Sequence, residues 1–167
     1  TRVFRGSSRT RQGFAQICMI DFSATTPFGL VRRLAAAGQD SPSAYLLISE
    51  AAAIDAVQAD IAAEVQVQLG VNLRSLTASE VRPERLEDAF AADSMSPVVL
   101  ITLDHWAPKL IDSLDRNVVL VPRAGPVLLL ADFELAERAL AAAPNLRNRL
   151  TDVLAIGPEE ASGGARA

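Results

Sequence analysis

The sequence predicts a three-layer α/β/α domain built on a mostly parallel sheet of about five strands. Short runs rich in Val, Leu and Ile recur at 44–49, 72–77, 98–103, 126–131 and 152–156. Their apolar residues are consecutive rather than alternating, as strands covered on both faces require. Between the runs, apolar residues recur three and four apart, the spacing of a helix with one buried side. Strand and helix taking turns in this way place helices on both faces of a parallel sheet. With 167 residues, half of them apolar and 22% charged, the chain can bury a single core, and disorder is expected only at its ends.

Taken in order, residues 1–16 carry Arg2, Arg5, Arg9 and Arg11 among Gly and Ser and are expected to form a flexible basic arm. Residues 17–22 have the composition of a further strand. A helix is expected over 27–37, with Thr26 as its cap, Pro27 at its first position and Gly38 as its stop. After the run at 44–49, Ile54, Val57, Ile61, Val65 and Leu69 form an apolar stripe that Gly70 ends, while Asp55, Asp60, Glu64 and Gln66 take other positions. Pro83 marks a helix start before Leu86 and Phe90. A third helix is marked by Leu110, Ile111 and Leu114. A fourth runs through Leu135, Ala136, Ala139, Leu140 and Ala143 and halts before Pro144. The segment 117–122 reads two ways, as a hairpin partner of the next strand or as the end of the third helix. Residues 17–158 are thus expected to form one domain, with 159–167 as a flexible tail or linker, and the chain to be a piece of something longer.

Composition removes several function classes. The formal net charge is −4 and no basic stripe crosses the body, so nucleic acid is not an expected partner. No apolar run approaches the ~20 residues needed to cross a bilayer, so no membrane partner is expected. Cys18 is the only cysteine, which excludes an internal disulfide and a multi-cysteine metal site and fits a reducing, cytoplasmic location. No metal is expected, because His105 and a scattered carboxylate are too few donors. Nucleophilic catalysis lacks a Gly-x-Ser-x-Gly turn, and Cys18 lies on an apolar run as a small hydrophobe. Lys109 is the only lysine.

In open α/β sheets ligands bind beyond the carboxyl ends of the strands. Those ends carry Ser49 and Glu50, Thr77, Thr102 with Asp104 and His105, Asp132, and Gly157. Asp132 reads as a helix cap. Asp104 and His105 are the better functional candidates; His105, the only histidine, stands beside Trp106, the only tryptophan, and such a pair more often packs a helix start than performs chemistry. A phospho-accepting receiver domain would share the rhythm. It would also need a carboxylate pair after the first strand and a lysine after the last, and neither is present.

The segment 49–57, Ser-Glu-Ala-Ala-Ala-Ile-Asp-Ala-Val, links the first buried run to the long helix, the place of a phosphate-binding loop. Over 43–157 the chain resembles the core of AAA-type and STAND-type P-loop NTPases, the latter including NACHT and NB-ARC proteins. Leu46-Leu47-Ile48 stands where their first strand enters the phosphate loop, 58–71 resembles the following helix, and Leu69-Gly70-Val71-Asn72-Leu73 enters the second strand. The stretch 79–86 is similar to the connection toward the Walker B strand, for which Val98-Val99-Leu100-Ile101 is the match, and 143–150 is similar to the segment after the fourth helix.

Against that resemblance, Asp55 stands where the family has its phosphate-neutralising lysine, and Ala56 where a hydroxyl would hold magnesium. Glu50 and three alanines replace the glycines that let backbone N–H groups wrap phosphate. Thr102 occupies the Walker B position, Asp104 lies two residues on, and no Glu follows it. Glu50 and Asp55 are expected to supply the negative charge that a helix start attracts. A phosphate ~4 Å from either would be repelled by about 4 kcal/mol at a near-surface dielectric. The resemblance therefore implies an inactive STAND-like module, a non-catalytic scaffold of bacterial signalling or defence proteins. It implies no cofactor, no nucleotide, and partners that are proteins or neighbouring domains. Arg147 and Arg149 lie where, in active relatives, an arginine would reach a neighbour's nucleotide; with His105 and Trp106 they are the candidate interaction residues. Three other readings stay open: a regulatory ATPase with an unorthodox site, a small-molecule sensor using the same cleft, and an enzyme of another Rossmann-like class, which no Gly-rich turn or catalytic constellation supports.

Overall fold

The computed structural model describes residues 23–38, 41–91, 95–117 and 125–159. Its six strands are β1 (Ser23–Thr25), β2 (Ser43–Ile48), β3 (Leu73–Thr77), β4 (Val98–Leu103), β5 (Pro126–Ala131) and β6 (Asp152–Ile156). They form one sheet in the order β1-β6-β2-β5-β4-β3, and every pair is parallel. The expected α/β architecture on a parallel sheet holds, with six strands among the described residues where about five were expected, all of them parallel. The extra strand, Ser-Ala-Thr, has no apolar run to announce it and forms by covering the outer edge of β6.

Six helices among the described residues connect these strands: α1 (Pro27–Ala37), α2 (Ile54–Leu69), α3 (Leu86–Ala89), α4 (Pro108–Arg116), α5 (Phe133–Ala142) and α6 (Pro144–Arg149). Parallel strands joined by right-handed crossovers put helices on opposite faces when successive connections travel in opposite directions along the sheet. The connections from β1 to β2 and from β2 to β3 travel toward the β3 edge, and those from β3 to β6 travel back. Burial follows that division. Leu30 and Leu34 of α1 pack with Val57, Ile61 and Val65 of α2 against Tyr45, Leu47, Leu100 and Leu128. On the other face, Leu86, Leu110, Leu114, Leu140 and Leu146 cover Leu46, Ile48, Ile101 and Leu129. Successive strand residues alternate between the two cores, which is why β2, β4 and β5 are buried along their whole lengths and read as unbroken apolar runs.

The local signals act as their chemistry requires. Thr26 Oγ1 accepts the Gly29 N–H at 3.1 Å, Pro27 fills the first position of α1, and Gly38 follows its last turn. Gly70 ends α2 at φ 67°, a left-handed conformation open to glycine at little cost, and its N–H bonds the Gln66 carbonyl. The start of α6 is capped from a distance: Asp115 of α4 accepts the N–H groups of Asn145 at 2.7 Å and Leu146 at 2.9 Å. At the amino ends of the strands, Arg33 pairs with Asp152 at 3.0 Å and stacks over Tyr45 at 5.5 Å. The segment 17–22, the two-way segment from residue 118 on, the arm 1–16 and the tail from residue 160 lie outside the described residues. Glu159, expected to begin the tail, donates its N–H to Asp60 at 2.7 Å and accepts the Phe28 N–H at 3.0 Å. The chain leaving β6 is therefore tied to both α1 and α2. No helix among the described residues is long and apolar enough to cross a membrane.

Candidate functional site at the carboxyl edge of the sheet

β2 and β5 are neighbours, yet α2 leaves β2 on one face and α5 leaves β5 on the other. Such a reversal opens a crevice between helix starts, the place where open α/β sheets bind ligands. Register sets what borders it. Ile48 lies level with Ala131, and Ala131 with Leu103. Ser49, Asp132 and Asp104 each stand one residue beyond, so three of the strand-end residues named from sequence form a row across the edge. At ~4.8 Å per strand, Ser49 and Asp104 lie roughly 10 Å apart.

The turn out of β2 is a single turn of 3₁₀-helix, Ala51–Ala53, that runs straight into α2. Alanine favours helix, and nothing in this segment favours an open loop. Glu50 has φ −65°, Ala53 φ −99° and Ile54 φ −54°. Among the described residues positive φ occurs only at Gly38, Gly70 and Gly125. An anion nest, which aims successive N–H groups at one point by mixing right- and left-handed residues, is therefore not built here. Asp55 lies in the first turn of α2, but neither the 3₁₀ turn nor α2 has a side-chain cap hydrogen bond. Any stabilisation by the charges of Glu50 and Asp55 therefore acts through space, without a bond to the N–H groups of the helix start. Ala56 is exposed beside them.

Ser49 is different. It is 1% exposed, its N–H bonds the Ala131 carbonyl at 3.0 Å, and its Oγ is buried without a hydrogen-bond partner among the described residues. Strand alternation continues Tyr45 and Leu47 onto the α2 face, so Ser49 lies under the start of α2. A buried hydroxyl lacking a partner costs about 1–3 kcal/mol of desolvation. Ser49→Ala is therefore expected to raise unfolding stability by about 1 kcal/mol in urea titrations, against the usual sign of core substitutions. A loss of stability would show that the hydroxyl is satisfied.

Thr102, the fifth residue of β4, is buried and joined to α2 by a neutral chain that the sequence reading missed. Gln58 Nε2 donates to Ser75 Oγ at 2.5 Å, and Thr102 Oγ1 donates to Gln58 Oε1 at 3.5 Å. The signal was available, since Gln58 is a polar residue inside the stripe of Ile54, Val57 and Ile61. The chain joins three elements without offering a carboxylate to a cation.

Beyond β4, Asp104 Oδ1 holds His105 Nδ1 at 2.9 Å, both side chains about half exposed at 45% and 53%. The carboxylate orients the ring, but no hydroxyl or thiol among the described residues is hydrogen-bonded to it, so the pair lacks the nucleophile that a general base would activate. Trp106 packs partly into the core, and the Arg138 guanidinium lies 4.3 Å from its ring centroid. Arg138 could not have been found from sequence, because only α5 brings it to Trp106. Asp132 accepts the Leu135 N–H at 2.8 Å and caps α5, as expected. Thr77 is likewise committed, its N–H and hydroxyl bonded to Glu80 at the start of the next turn. Arg147 and Arg149 are exposed in the last turn of α6, on a different element from the His105 and Trp106 cluster. Among the described residues no group of three or more His, Cys, Asp or Glu side chains is placed to hold a metal ion. No protein-family model matches the chain, and no curated protein does.

Proposed function

We propose that the chain is a non-catalytic scaffold or interaction domain built on the P-loop NTPase-like plan, of the inactive STAND kind, in a cytoplasmic bacterial signalling or defence protein. The observation that carries this reading is the turn from β2 into α2. It sits at the crevice where a nucleotide would be held, and it is filled by a helical turn with all-negative φ and two exposed carboxylates. Phosphate binding at a helix start needs converging N–H groups and an unopposed dipole. Here the first need is unmet, and so is the second, because Asp55 in the first turn of α2 opposes the dipole. The neutral Ser75–Gln58–Thr102 chain supports the same reading on the magnesium side. What the edge does offer is a stacked Trp106–Arg138 pair beside His105, the residue types that anchor protein interfaces.

Calorimetric titration of the chain with ATP and with GTP, each with magnesium, is expected to give no saturable heat. Micromolar, magnesium-dependent affinity would overturn the proposal. A second reading, a small-molecule sensor using the same cleft, is favoured by one observation, the unpartnered buried hydroxyl of Ser49. It predicts a ligand-dependent melting shift that Ser49→Ala weakens, and a broad metabolite screen without such a shift would count against it.

A further inference from the structure

Among the described residues the sheet ends at β3, which pairs there only with β4. Beside this edge, the turn-rich connection Ala78–Glu80 and Pro83–Arg85 leads into α3 and leaves an open groove of about 130 Å³. Three of its walls are arginines, Arg74, Arg82 and Arg85, and Leu76 lies among them. With Glu80 and Asp88 also in the lining, the groove has an excess of one positive charge in a chain of net charge −4, and the exposed Glu84 and Glu87 of the same connection lie outside it. The two carboxylates in the groove are already committed. Glu80 Oε1 accepts the N–H and the hydroxyl of Thr77 at 3.0 and 2.9 Å. Asp88 pairs with Arg85 at 3.1 Å, and its carbonyl accepts from Arg74 at 2.9 Å.

Arg74 and Arg85 are thereby held in place while keeping further N–H donors, and the exposed Arg82 guanidinium has no partner among the described residues. Prearranged guanidiniums match carboxylates in geometry as well as charge. Strand edges, for their part, accept extended segments through main-chain pairing, with side-chain pockets setting preference.

We propose that this groove is a docking surface for an extended acidic segment of a partner protein, which lies along the free edge of β3 and sets its carboxylates against Arg74, Arg82 and Arg85. Leu76 gives the segment an apolar residue to cover between its charges. The inference rests on the scaffold reading, for which it names the partner chemistry. The two fail separately, since nucleotide calorimetry reports on the opposite reading of the β2–β5 crevice and peptide binding reports on the β3 edge.

Fluorescence anisotropy with a labelled short peptide of alternating Glu and Val tests it on the whole chain. Saturable binding is expected with a dissociation constant on the order of 10 to 100 µM, weakening as NaCl rises from about 50 to about 300 mM. Arg82→Glu is expected to weaken it roughly tenfold, and Arg32→Glu, an exposed reversal on α1, to leave it unchanged. Circular dichroism matching the parent chain shows that both variants fold. Arg74→Ala provides a second test from the strand itself, with loss expected in the same direction. Absence of saturation would overturn the proposal, as would equal binding by the Arg82→Glu and parent chains. Binding of a Lys-Val peptide or of oligo-dT as tightly as the Glu-Val peptide would overturn it too, by showing a surface without the stated preference.

Discussion

Leu128→Ala is expected to lower the unfolding free energy by about 3 kcal/mol, read as a shift of the urea midpoint with little change in slope. Leu128 lies mid-strand in β5, the strand between β2 and β4, and is fully buried. Its Cα is level with Tyr45 on one side and Leu100 on the other, so three large side chains form one row beneath α1 and α2. Strands paired on both sides move little, and a cavity opened in such a row closes poorly. The expected loss therefore includes a cavity penalty beyond the transfer of the missing carbons. Val67→Ala on the exposed side of α2, where Val67 is 80% exposed, is the matched control and should cost little. If Leu128→Ala cost under about 1 kcal/mol, the helix layer over β5 would not be packed as described.

Asp115→Ala carries the second large effect, about 2 kcal/mol. The half-buried carboxylate accepts three hydrogen bonds from α6, from the Asn145 and Leu146 N–H groups and from Asn145 Nδ2 at 3.2 Å. A short helix has little stability of its own, and α6 has no side-chain cap within its own segment. Removing Asp115 leaves two N–H groups without acceptors and loosens Leu146 from the core. Asp115→Asn keeps one carbonyl acceptor and is expected to recover part of the loss. Asp112→Ala is the comparison, since it removes only an exposed pair with Arg116 and should change stability by less than about 0.5 kcal/mol. Equal effects at the two positions would refute the capping role.

Legibility followed the range of the interaction. Caps and stops at Thr26, Gly38, Gly70 and Asp132 act on their own backbone within a few residues, and each was readable from its neighbours. The three central strands were readable because burial on both faces leaves no polar alternation. β1 was not, because its pairing with β6 joins segments more than a hundred residues apart and its own three residues carry no pattern. α6 was readable only as a stretch after Pro144, since the cap that supports it comes from α4.

The candidate site divides in the same way. Ser49, Asp104 and Asp132 were legible as strand ends, and register shows that they form one row. Gln58 was legible in principle, as a polar residue in an apolar stripe, and was overlooked because periodicity counts apolar positions. Arg138 over Trp106 and the arginine groove at β3 were beyond reach, because their partners meet only when α5 and α3 pack on the sheet.

By itself the sequence determined the alternation of strand and helix, the positions of the helix ends and the absence of glycine and lysine from the turn after β2. These depend on local backbone preference and on which side chains are apolar, quantities that neighbours a few residues away set. Only the tertiary structure decided the strand order, the reversal of connections between β2 and β5, the burial of the Ser49 hydroxyl without a partner among the described residues and the gathering of arginines beside β3. Those depend on which distant segments share a face, and the free energy that selects among such arrangements comes from burying both sides of one sheet at once.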